Sequence, residues 1–87
     1  MAYEVILPNR ILRDLRKIPR VYADRILYFI ASFKEEPRPE GCKKMKGYEN
    51  KYRLRIADYR IVYTIEDSIK IVEIYKVGHR KDVYKEL

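Results

Sequence analysis

YRLRIADYRIVY, residues 52–63, decides how this chain folds. Tyr52, Leu54 and Ile56 alternate with Arg53 and Arg55. Tyr59, Ile61 and Tyr63 continue the apolar series beyond Ala57 and Asp58. A period of two marks strands with one buried face, and the interruption marks a tight turn. With the turn centred between Ala57 and Asp58, Ile56 faces Tyr59 and Leu54 faces Ile61, both apolar pairs. On the other face Arg55 then stands directly opposite Arg60, and Arg53 opposite Val62. Directly opposed Cβ atoms lie about 4.5–5.5 Å apart. Two like charges at that distance repel by roughly 1 kcal/mol in water and about 3 kcal/mol at an effective dielectric of 20. Asp58 is the one acid nearby. Either this is a solvated face whose arginine stems cover apolar surface, or it is an anion site whose ligand brings the missing charge. Guanidinium groups grip phosphate oxygens with paired hydrogen bonds.

The charge distribution points the same way. The 87 residues carry a net charge of +7. Residues 41–60 hold seven basic side chains (Lys43, Lys44, Lys46, Lys51, Arg53, Arg55, Arg60) against Glu49 and Asp58. Positive charge concentrated in this way attracts polyanions such as nucleic acid, an anionic membrane or an acidic protein. With 47% apolar and 38% charged residues the composition is that of a folded globular chain. The expected organisation is one domain over residues 1–87. No apolar run reaches the roughly 20 residues of a membrane span, and no signal peptide is read at the start, so the expected location is cytoplasmic. Cys42 and His79 are each alone in the sequence. An internal disulfide is therefore excluded, no metal site or cofactor is expected, and Cys42 reads as a small, half-exposed apolar side chain.

Outward from the hairpin, residues 3–7 read as a short strand ended by Pro8 and Asn9. Ile11, Leu12, Leu15 and Ile18 then follow a helical stripe, with Asn9 as N-cap. Tyr22, Ile26, Phe29, Ile30 and Phe33 form a second stripe, predicting a helix over residues 19–34 that opens on Pro19 and is stopped by Pro37 and Pro39. Residues 42–46 predict a short weak strand closed by Gly47, and residues 69–77 a last strand closed by Gly78. Ile71, Val72 and Ile74 break its alternation, as burial on both faces or a bulge would do. The predicted class is α+β: a short first strand, then two helices packed on one face of a mostly antiparallel sheet of four to five strands. The other face, with the arginines, is left partly open. The tail VGHRKDVYKEL is expected to return beside that face, bringing His79, Arg80, Lys81 and Tyr84.

LRDLRKIP, KKMKGYENKYRLRIADYRIVYTIED and IVEIYKVGHRKDVYKEL together make the chain resemble the RelE/ParE superfamily of small basic toxins from toxin–antitoxin pairs. For the RelE branch the resemblance implies a ribosome-dependent endoribonuclease, an mRNA interferase that cuts mRNA in the A site. The implied reaction is metal-free: the ribose 2′-hydroxyl attacks the adjacent phosphorus and the 5′-oxygen leaves. Matched motif to motif, the resemblance implies catalytic roles for Arg55, Arg60, His79, Arg80 and Tyr84. Arg60 and Arg80 would hold the phosphate and Tyr84 the nucleotide. Arg53 and Arg55 stand where RelE proteins often carry lysines. Arginine is a poor general base because it stays protonated. Histidine titrates near neutrality, so His79 is the candidate for proton transfer. Lys43, Lys44, Lys46, Lys51, Arg53 and Lys81 are the expected RNA-binding residues. The implied partners are an acidic, RelB-like antitoxin, the ribosome with its mRNA, and operator DNA through the antitoxin complex; a membrane is not among them. Two alternatives stand beside this: a ParE-type, non-enzymatic inhibitor of DNA gyrase, and a weakened toxin that acts only within an antitoxin repressor complex.

Overall fold

In the computed structural model, residues 2–83 are described, the side chains of 82 and 83 excepted. Strand β1 (Glu4–Ile6) leads through Pro8 into helix α1 (Asn9–Arg16). Pro8, in extended geometry at ψ 151°, takes the N-cap, and its carbonyl accepts from the amides of Ile11 and Leu12. Asn9 is therefore the first helical residue and not the cap expected from its side chain. The same thing happens at helix α2 (Arg20–Ser32): Pro19 caps it from an extended conformation, one residue before the helix opens. Proline suits both places because its fixed φ is compatible with the flanking geometry and no amide donor is lost. α2 ends as Ser32 Oγ donates to the Phe29 carbonyl at 2.7 Å.

Strands β2 (Lys43–Lys44), β3 (Lys51–Ile56), β4 (Tyr59–Glu66) and β5 (Ile71–His79) follow, and α3 (Arg80–Val83) begins where β5 stops. The sheet order is β1-β5-β4-β3-β2, with β1 parallel to β5 and the other neighbours antiparallel. This is the predicted α+β arrangement at the five-strand limit. The predicted hairpin register holds in full: Ile56 pairs Tyr59, Arg55 pairs Arg60, Leu54 pairs Ile61 and Arg53 pairs Val62. Ala57 makes the turn with φ 54°, a left-handed conformation that costs a residue with a Cβ roughly 1 kcal/mol. The irregular last strand is a bulge. The register shifts between Val62, which pairs Lys76, and Tyr63, which pairs Ile74, leaving Tyr75 as the extra residue. Gly78 does not end β5; it continues the ladder opposite Arg60, and His79 closes it opposite Tyr59.

Ile11, Leu15, Ile26, Ile30 and Phe33 bury the helical stripes against Leu54, Ile56, Ile61, Tyr63, Ile65, Val72, Ile74 and Val77. Each such aliphatic side chain contributes about 1.5–3 kcal/mol when fully buried. Leu12 lies at the rim of its stripe and stays exposed. The rings of Phe33 and Tyr63 stack at 4.3 Å, and the Tyr63 hydroxyl donates to the Pro37 carbonyl at 2.8 Å with Cys42 Sγ 3.1 Å away. Burial of that phenol, with the thiol beside it, pushes its pKa far above the usual range. Arg38 reaches across both oxygens of Asp67, lies over the Tyr52 ring at 5.0 Å, and so straps the segment after α2 to the β4–β5 turn. No helix is long and apolar enough to cross a membrane among the described residues.

Candidate nucleic-acid interface

Cross-strand partners share a face of the sheet. Leu54, Ile56, Ile61 and Tyr63 turn toward the helices. Arg53, Arg55 and Arg60 therefore turn to the opposite face, where Lys43, paired with Arg53, joins them. Arg55 is exposed, and its Nε donates to the Ala57 carbonyl at 3.1 Å. Arg60 is only 9% exposed, and its guanidinium donates to the Tyr59 carbonyl at 3.2 Å. Its partner on β5 is Gly78, which has no side chain to fill the face beside it. Neither Arg55 nor Arg60 forms a salt bridge among the described residues, where the acids that do so pair with Arg20, Arg38 and Lys76. A buried cation without a carboxylate is costly unless another anion occupies the site.

The other expected RNA-binding residues divide. Lys44 pairs Tyr52 and so points to the helix side of the edge. Lys46, beyond the end of β2, is exposed. Lys51 lies on the arginine face, but its ammonium is held over the rings of Tyr48 at 4.4 Å and Tyr75 at 4.0 Å. The bulge carries Tyr75 to this position, where Arg10 also meets its ring at 5.7 Å. Lys81 is exposed, and its amide donates to His79 Nδ1 at 3.3 Å.

The tail is only partly brought together with the arginines. The Arg80 amide donates to the Asp58 carbonyl at 2.9 Å, which fixes the start of α3 at the closed end of the β3–β4 hairpin. His79, by contrast, shares the face of Tyr59, whose ring it meets edge-on at 5.8 Å, and Tyr59 in turn contacts Tyr22 of α2. It sits in a depression with Asp14, Lys17 and Ile18 on the helix side. The expectation that His79 stands beside the arginine face is thus corrected: the odd–even alternation of β5 sends residue 79 to the side opposite Arg60. Tyr84 lies outside the described residues.

One residue that sequence reading missed is Arg25. A cleft of about 580 Å³ opens at the edge of β3, lined on the strand side by Arg53, Arg55 and Arg60, and Arg25 of α2 forms its far wall. No periodicity in α2 marks this residue; only the packing of the helix over the sheet brings it there. Among the described residues no group of three or more His, Cys, Asp or Glu side chains is placed to hold a metal ion.

The family described as ParE toxin of type II toxin-antitoxin system, parDE, matches residues 5–84. The chain is 30% identical to the putative toxin RelE1 of Methanocaldococcus jannaschii over 88 residues, covering 98% of each chain. It is 31% identical to the mRNA interferase toxin RelE of Escherichia coli K12 over 90 residues, covering 99% of this chain and 94% of that one. Its backbone is similar to that of the archaeal RelE–RelB complex from Pyrococcus horikoshii, with a TM-score of 0.80 and 28% identity over 92% of this chain and 97% of that chain.

Proposed function

This chain belongs to the RelE/ParE superfamily of type II toxins, and on that footing we propose that it is a ribosome-dependent endoribonuclease cutting mRNA in the A site. The observation that carries the reading is the pair Arg55 and Arg60: directly opposed, one of them largely buried, and without a carboxylate among the described residues. A phosphodiester bound there supplies the absent negative charge. As the 2′-oxygen forms its bond to phosphorus and the bond to the 5′-oxygen breaks, charge builds on the non-bridging oxygens. Fixed guanidinium donors stabilise that charge more than they stabilise the ground state. The products are a 2′,3′-cyclic phosphate and a 5′-hydroxyl; the 2′-hydroxyl loses a proton and the departing 5′-oxygen gains one. Arg55 and Arg60 serve as charge stabilisers and not as proton carriers. Arg80, anchored at the hairpin's closed end, adds a third cation, and Tyr84 meets the nucleotide.

We infer that this chain's partner is an acidic antitoxin, in line with the RelE–RelB complex of the P. horikoshii protein. An acidic chain, partly disordered alone, would wrap this basic surface and order on binding. Operator DNA is reached through that complex. One observation favours a second reading, non-enzymatic inhibition of DNA gyrase: the matching family is described by its ParE members. A reconstituted translation extract separates the two. Wild-type protein is expected to cut mRNA at the A-site codon and Arg80→Ala to lose most of that cleavage. Inhibition of supercoiling with intact mRNA would reverse the assignment.

A further inference from the structure

We propose that Arg25 is a phosphate-binding residue, and that the cleft at the open edge of β3 holds the backbone phosphate next to the one gripped by Arg55 and Arg60. The inference rests on the reading of the arginine face as the site of the scissile phosphate. It begins with why the cleft exists. β2 pairs only Tyr52 and Arg53, because at Gly41 (φ 92°) the incoming chain has not yet joined the ladder. The Met45 amide donates to the Lys51 carbonyl, which sets the phase of this edge. By alternation, residues 51, 53 and 55 turn their peptide groups toward β2. Beyond Arg53 no residue of β2 pairs with β3, and Glu40 and Gly41 of the incoming chain line the gap beside Arg55 instead.

Helix α2 passes over that opening and presents Arg25 and, one turn on, Phe29. At about 580 Å³ the cleft is roughly twenty times the volume one water occupies in the liquid. Its cations are Arg25, Lys43, Arg53, Arg55 and Arg60, against the single acid Glu40. Arg25 forms no salt bridge with any described residue; Asp24, its neighbour, pairs with Arg20. Half-buried Phe29 gives the cleft one aromatic ring on which a base can stack. Arg55 and Arg60 line both this cleft and the sheet face. A strand bound by them at one phosphate therefore leads directly into the cleft with its next. Cations at an unpaired strand edge also discourage pairing with other chains, but that role involves no RNA, and the two are separable by titration.

The test is an NMR titration of the full chain with 2′-O-methylated RNA, which binds but cannot be cut. Two lengths are used, a dinucleoside monophosphate with one phosphodiester and a pentanucleotide. Arg25→Ala is expected to weaken the pentanucleotide about tenfold, as for a lost charge-assisted hydrogen bond. It should also flatten the plot of log affinity against log salt by about 0.7, and leave the dinucleotide unchanged. Arg60→Ala should weaken both ligands, and Arg16→Ala on α1 neither. Arg25→Ala indistinguishable from Arg16→Ala, with Arg60→Ala still impaired, overturns the inference and leaves the arginine-face reading standing. Unimpaired binding by Arg60→Ala overturns both. Weaker binding of hexaglutamate with unchanged RNA binding makes the cleft a protein-docking site and also overturns the inference.

Discussion

Replacing Arg55 by Gln should make the free protein more stable and its RNA chemistry much slower. Arg55 stands directly opposite Arg60 with no carboxylate at either guanidinium among the described residues. Charges held at the roughly 5 Å spacing of directly opposed Cβ atoms would repel by roughly 1 kcal/mol at the dielectric of water, the limit suited to an exposed Arg55. Losing the hydrogen bond from Arg55 Nε to the Ala57 carbonyl offsets about half of the relief, leaving about 0.5 kcal/mol. For a domain of this size that is about 2–4 °C in Tm. The gain should be largest near 0.1 M salt, where the screening length is about 10 Å, and should fade toward 1 M, where it is about 3 Å. Cleavage in a translation extract should fall about 10²–10³-fold, as for removal of one transition-state donor. Thermal unfolding of both proteins at the two salt concentrations measures the first effect. A variant that melts at or below wild type at 0.1 M salt would show that Arg55 is already neutralised within the fold, and the argument for an anion site would lose its basis.

Tyr63→Phe should cost about 1–3 kcal/mol in urea unfolding, because the buried Pro37 carbonyl loses its donor while ring stacking on Phe33 is kept. Asp67 is held at a pKa of about 2, below the usual carboxylate range, first by its hydrogen bonds from Arg38 and then by that from Tyr3. A depressed folded pKa means that its stabilisation is complete above about pH 4 and fades as the pH falls through about 2. Asp67→Asn should therefore lower the urea midpoint at pH 7 and 4, and the gap should close as the pH approaches 2. An unchanged gap would dissociate the carboxylate charge from the clamp. His79→Gln should retain cleavage within about threefold of wild type and leave its pH profile unaltered, since the side chain lies on the Tyr59 side of the sheet. A loss of 100-fold with a shifted profile would return His79 to the proton-transfer role.

The sheet was legible wherever one local rule governed it. A two-residue turn and strict alternation set the β3–β4 register without help from the rest of the molecule, so Arg55 opposite Arg60 followed directly from residues 52–63. In β5, Val72 and Ile74 keep the period of two toward the core, Ile71 is half-buried on the other face, and the bulge at Tyr75 moves the next core residue to Val77. Where two rules competed, the sequence was ambiguous. Asn9 has a capping side chain, but Pro8 already holds the extended geometry a cap requires. Leu12 belongs to an apolar stripe wider than the surface available to cover it. The candidate site was less legible because it is assembled across elements. Proximity along the chain put His79 beside the arginines, whereas the pleat of β5 sends it to the other side. Arg25 carries no local signal, since its position in the cleft follows from how α2 lies over β3.

The central claim is tested most directly by sequencing RNA 5′ ends after brief expression of wild type and of Arg60→Ala in the absence of an antitoxin. The account predicts cuts with three-nucleotide periodicity within A-site codons for the wild type, and their near disappearance for Arg60→Ala at equal protein level. Growth arrest by the wild type with no in-frame cut pattern, or an undiminished pattern with Arg60→Ala, would contradict it.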